Sequence, residues 1–165
     1  IKSYMKAIDE TVTLTAEEER VLHDYLFSVE IWGHYELLFF SSCSPLLSVQ
    51  LFTKYTREML RKSDFLQGVG KNRNMMHTLL LNGFMACIEV DDFTNALYFK
   101  KQIEKNFFEE NETYFRIVYL WAEGLLDSKQ GRVEDGQRKM EDAVRIFEMI
   151  GCSKSADYYR SAIEC

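Results

Sequence analysis

Proline is nearly missing from these 165 residues: there is one, Pro45, and glycine is held to eight. These two residues most often break helices and turn strands, so their scarcity argues for long helices rather than many short strands. A surplus of cations is missing too. Lys and Arg number 20 against 26 Asp and Glu, a net charge of −6, so the chain itself is not drawn to a phosphate backbone. The longest uncharged run, 37–53, is interrupted by Ser41, Ser42, Ser44, Pro45, Ser48 and Gln50. That is too short and too polar to cross a bilayer, and no membrane partner is expected.

Chemistry-bearing clusters are equally scarce. Cys43, Cys87, Cys152 and Cys165 form no C-x-x-C pair, which removes metal-ligand spacing and reads as reduced thiols in a cytoplasmic protein, with a disulfide between two copies left open. His23, His34 and His77 stand alone in sequence, with no H-E-x-x-H pattern and no nucleophile or base beside them. The G-x-G of FLQGVGK, 65–71, follows no strand signal and carries no nucleotide-binding reading. No enzyme, metal or cofactor is called for. His34 differs in lying within the apolar WGHYELLFF segment; burial there would lower its pKa and make it a possible pH-sensitive group. The bland alternative is a packed or surface histidine.

What is present is core-forming material, with 47% hydrophobic and 14% aromatic residues. That suffices for one all-α domain over 1–165. No signal peptide is legible and the chain opens at Ile1, so we expect a piece of a longer protein.

Along the chain, Ile1 to Ile8 reads as the end of a helix with Tyr4, Met5 and Ile8 on its apolar side. Thr15 and Glu18 form a capping box that should start the next helix. Its buried stripe is Val21, Leu22, Tyr25, Leu26 and Val29, and it ends near Glu30. Residues 32–43 are apolar on most sides and should be buried by their neighbours. Ser44-Pro45 predicts the start of an amphipathic helix reaching about Ser63, with Leu46, Val49, Phe52 and Leu60 opposed to Lys54, Arg57, Glu58 and Arg61. Residues 65–71 form a connection. A helix over 72–90 carries Asn74, Thr78 and Asn82 at steps of four, and Asp91 and Asp92 cap a helix over 93–108.

The most regular stretch is 112–151. Tyr114, Val118, Trp121 and Leu125 give one apolar stripe, with Arg116, Tyr119, Glu123 and Asp127 as a polar and aromatic line beside it. After a hinge at Gly131, Val133, Gly136, Met140, Ala143 and Phe147 give the stripe of a second helix, with small residues where two backbones could approach closely. Phe93 and Ala96 precede Val133 and Gly136 by the same interval, so 72–108 and 112–150 read as a weak internal repeat. A last helix from Ser153 places Ala156, Tyr159 and Ile163 on one side. A hairpin of this length resembles a tetratricopeptide repeat, and the resemblance implies a right-handed array of antiparallel helix pairs.

In such an array the first helix of each pair lines a concave surface. Asn74, Thr78 and Asn82, with Arg116, Tyr119 and Glu123, then become candidate peptide-binding residues. An extended peptide needs donors and acceptors for its backbone, which Asn supplies together, and a guanidinium can hold a carboxylate at two points. Leu81, Met85 and Leu120 could take apolar side chains. These residues could equally form a solvated helix face. Tyr158, Tyr159 and Ile163, taken as exposed, are the candidate dimer contact.

The segment EIWGHYELLFF, with Trp32, Tyr35, Glu36 and Leu37 in the pattern W-x-x-Y-E-L, resembles the Rgg/GadR/MutR family of Gram-positive transcriptional regulators. So do the aromatic hairpin around Tyr119 and Trp121 and the later Phe147, Gly151 and Tyr159. The resemblance covers about 24–165. It implies the peptide-sensing part of a homodimeric regulator of exoprotease, bacteriocin, acid-resistance or competence-like programmes. Its ligand would be a short hydrophobic signalling peptide imported into the cytoplasm, and it would meet DNA only through an N-terminal helix-turn-helix that these residues lack. The alternative is a helical-repeat adaptor that docks a protein partner.

Overall fold

The computed structural model describes residues 2, 9, 11–62 and 70–163, and the structure is all-α, with no strand among the described residues. The expected helix over Ile1 to Ile8 and the greater part of the expected connection at 65–71 lie outside them. Eight α-helices are described: α1 (Ala16–Ser28), α2 (His34–Cys43), α3 (Val49–Lys62), α4 (Gly70–Glu89), α5 (Phe93–Lys105), α6 (Thr113–Lys129), α7 (Val133–Met149) and α8 (Ser153–Ser161). Packing divides the chain into two units, Ile1–Leu79 and Leu80–Cys165, with the division inside α4.

In the first unit, the Thr15 capping box starts α1 as the sequence implies, with the hydroxyl accepting from the Glu18 amide and the Glu18 carboxylate accepting from the Thr15 amide at 2.8 Å. Leu22, Leu26 and Val29 are buried, but Val21, expected beside them, is exposed. Helix α2 buries only Leu37 and Phe40 and leaves Tyr35 and Leu38 in solvent, so this apolar segment is not enclosed on all sides. The expected helix start at Pro45 is also corrected. Residues Ser44–Leu46 form a short 3-10 turn, closed by the Leu47 amide on the Ser44 carbonyl, and α3 begins after Ser48. A proline suits the first position of either kind of helix, which is why the sequence alone misplaced it. Phe40 organises the core: it stacks on Phe52 at 5.4 Å between ring centres, with the Trp32 and Tyr55 rings edge-on.

The second unit is built on a repeated joint. At the end of α4 the Asp92 amide donates to the Cys87 carbonyl, at the end of α6 Arg132 to Asp127, and at the end of α7 Cys152 to Phe147, each at 2.8–2.9 Å. The residue inside each joint has positive φ: Asp91 at 57°, Gly131 at 88°, Gly151 at 77°. This is the Schellman ending, in which a left-handed residue lets the chain turn back and satisfy the last carbonyls. Each next helix then opens at the same phase and buries a small residue on its first full turn: Ala96, Gly136 and Ala156.

At Gly136 the small residue is obligatory. A Cβ added there would lie 2.5 Å from the Gly124 carbonyl oxygen, and one added at Gly124 would lie 2.6 Å from the Gly136 carbonyl oxygen. Val133, expected in the apolar stripe of α7, is exposed. Helix α5 stops at Lys105 rather than Phe108, and α8 stops at Ser161.

Candidate functional site

Helix α4 places the carboxamides of Asn74 and Asn82 in solvent, the first in the first unit and the second in the second. Thr78, half-buried between them in sequence, donates its hydroxyl to the Asn74 carbonyl at 3.0 Å, a common way for threonine to satisfy itself within a helix. Neither asparagine carboxamide has a partner among the described residues.

Arg116, Tyr119 and Glu123 are differently disposed, all within the second unit. The Arg116 guanidinium is spent on the connection before α6: its Nε donates to the Glu109 carbonyl at 3.0 Å and one terminal nitrogen to the Phe108 carbonyl at 2.6 Å, while it lies over the Phe107 ring. Tyr119 is buried against Phe84, Phe107 and Phe108. Its hydroxyl accepts from the Lys100 ammonium at 3.1 Å and donates to Glu104 at 3.3 Å. Lys100 on α5 also pairs with Glu123 and, at 3.2 Å, with Glu104.

Burial alone would lower the Lys100 pKa; the hydrogen bonds it donates to Glu123 and Tyr119 outweigh it and hold the ammonium above the ordinary lysine value. Burial pushes the Tyr119 hydroxyl up in turn. The line read as facing a groove therefore turns inward at Tyr119 and Glu123, toward α5. Lys100 was missed because its local pairing with Glu104 is an ordinary surface pattern, and its other partners, Tyr119 and Glu123, are on the following helix.

Asp127, the last member of that line, is buried and clamps the α6–α7 joint, accepting from Arg132 at 2.6 Å and Lys139 at 2.7 Å. Burial would raise its pKa, but the two cations prevail and hold it below the usual carboxylate value.

His34 is exposed rather than buried, with Nδ1 2.8 Å from the Asn72 side-chain oxygen, so the burial argument for its pH sensitivity falls away. The buried histidine is His77. Of the expected dimer contacts, Tyr158 is 68% exposed, but Tyr159 is buried, stacked on Phe147 and tilted against Trp121, and Ile163 is half-buried after the end of α8. Tyr159 is core because α8 lays it against both α6 and α7, which the periodicity of α8 alone could not reveal.

Among the described residues no three His, Cys, Asp or Glu side chains gather as metal ligands, and no helix is long and apolar enough to cross a membrane. The class this defines is an all-helical scaffold whose charged groups mostly hold its own helices in place. Residues 1–161 match the family described as HTH-type transcriptional regulator Rgg, C-terminal domain, and the chain belongs to that family.

It is similar to the SHP pheromone receptor Rgg2 of Streptococcus dysgalactiae in two crystal structures. The cysteine-to-serine variant is 29% identical with a TM-score of 0.88, covering 99% of this chain and 60% of that one. The unsubstituted receptor is 29% identical with a TM-score of 0.87, covering 99% and 62%. A candidate transcriptional regulator from Listeria monocytogenes, 19% identical with a TM-score of 0.82 over 98% of this chain and 56% of that one, shares the fold. The chain spans about three-fifths of the length of these proteins. These relatives are described as regulators and receptors, not enzymes.

Proposed function

We propose that this chain is the peptide-sensing part of a transcriptional regulator, taking a short hydrophobic signalling peptide and passing its presence to DNA-binding domains outside these residues. The observation that carries the reading is the 29% identity to an SHP pheromone receptor over nearly the whole chain, with a TM-score of 0.88. Asn74, Thr78 and Asn82 on α4 are the proposed peptide contacts, since the two exposed carboxamides offer the donor and acceptor pairs that an extended backbone requires.

Arg116, Tyr119 and Glu123 have a supporting role in this proposal. Their polar atoms are bound to Phe108, Glu109 and Lys100, so they fix α6 against α5 rather than await a ligand. The regulator acts as a cytoplasmic homodimer, with Tyr158 as the remaining exposed aromatic of the suggested contact. Signalling requires that the peptide bind two arrangements of the protein unequally; equal affinity would transmit nothing.

The test is a fluorescence-polarisation titration of the 165-residue chain with labelled synthetic hydrophobic peptides encoded near its gene. Saturable binding that Asn82→Ala weakens about tenfold, with helicity unchanged, is the expected result. A folded chain that binds none of them would leave a helical adaptor for a protein partner as the better reading.

A further inference from the structure

The first unit carries an apolar trough that the peptide reading does not use. Two helix faces line it: Val21, Leu22 and Tyr25 from α1, and Tyr35, Phe39 and Cys43 from α2. The Tyr25 and Phe39 rings meet edge-on at 4.7 Å and form its floor. Its volume is about 560 Å³. It is open along its length, for Val21 is 62% and Tyr35 66% exposed, where a soluble helix would ordinarily place polar residues.

One end of the trough is acidic. Glu17 and Glu18 belong to its lining and Glu19 follows. Glu18 already holds the ammonium of Lys2 at 2.5 Å, which shows the kind of group this rim receives. Glu17 has no cationic partner among the described residues.

We propose that this trough docks one amphipathic helix of a partner protein, about two turns long, with an aliphatic or aromatic face and a Lys or Arg set over Glu17. The shape argument is that the faces of α1 (Glu17, Val21) and α2 (Tyr35, Cys43) rise on either side of the Tyr25–Phe39 contact and leave a furrow between them. Such a furrow receives the ridge of a third helix. The charge argument selects among helices: an acidic rim repels an acidic segment and attracts a basic one. The site stands independently of the peptide contacts proposed on α4.

The probe is a fluorescein-labelled synthetic helix with Leu at steps of three and four and two Lys in its terminal turn, beside a twin with Glu in place of Lys. Titrated with the 165-residue chain, the Lys helix is expected to bind saturably at one per chain and the Glu twin about tenfold more weakly. Val21→Ser and Tyr35→Ser, both at exposed positions and checked for helicity, should each weaken the Lys helix about tenfold. Glu17→Gln should weaken it about threefold, as befits an exposed charge pair. Asn82→Ala should leave it unchanged, which separates this site from the signalling-peptide groove.

Equal binding of both helices, binding insensitive to Val21→Ser and Tyr35→Ser, or no binding at all would overturn the proposal. Self-association in sedimentation that Val21→Ser abolishes, without helix binding, would overturn it in favour of a second copy of the chain.

Discussion

The two units solve the problem of joining helices in different ways. In the second unit one joint recurs at Asp91, Gly131 and Gly151, each with the same backbone hydrogen bond and a small residue at the same place on the next helix. Among the described residues of the first unit no two joints are alike. Helix α1 runs out into extended backbone at Val29, the Gly33 amide is held by Glu36 at 3.0 Å to open α2, and a 3-10 turn with Pro45 leads to α3. A repeated joint fixes the angle between helices from local backbone chemistry. An irregular one leaves that task to the side chains packed around it, which here means the aromatic cluster on Phe40.

Each unit has its own tryptophan, Trp32 in the first and Trp121 in the second, both buried. Single-tryptophan variants therefore report the units separately. The largest effect should come from Gly136→Leu. With the Gly124 carbonyl oxygen 2.5 Å from any Cβ, α6 and α7 must part, and we expect a loss of about 3–5 kcal/mol in the denaturant transition read at Trp121. An equal shift at Trp32 would show that the units do not unfold separately and would blunt the comparison.

Asp127 gives an intermediate effect that depends on pH. Its folded pKa lies below the ordinary value, so its contribution is present above about pH 4 and is lost as pH falls through the folded pKa. Asp127→Asn should cost about 1 kcal/mol at neutral pH, discounted for the exposure of Arg132 and Lys139. The cost should shrink as pH falls below about 4, in the same Trp121 transition. A cost independent of pH would mean that the joint is held by its backbone alone.

The smallest effect tests the one of the three repeated joints without glycine. Asp91 holds a φ of 57° that glycine adopts freely, so Asp91→Gly should raise thermal stability by about 0.5 kcal/mol even though its exposed pair with Lys129 is lost. A decrease would assign more to that ion pair than surface pairs ordinarily contribute.

The same contrast explains what could be read beforehand. Gly131, the hairpin over 112–150, the Asp92 cap and the Thr15–Glu18 box were legible because each is a local signal: a turn residue or a side chain bonding its own backbone within a few residues. Pro45 was legible as a helix start but not as which kind. Val21, Val133 and Tyr159 were assigned to the wrong side because a periodic stripe gives a direction around one helix and not the presence of a neighbour. Of the candidate site, Asn74 and Asn82 kept the exposure expected of them. Tyr119 and Glu123 did not, since Lys100 reaches them from another helix and no spacing along the chain announces it.

The mutual approach of Gly124 and Gly136 has a mechanical consequence. Each carbonyl oxygen occupies the place where the other residue would carry its Cβ, so α6 and α7 have no room to roll or slide past one another. Glu123 sits beside that contact and holds Lys100 of α5, while Phe147 farther along α7 holds Tyr159 of α8. Through Lys100 at one end and Tyr159 at the other, the close-packed α6–α7 pair ties α5 to α8.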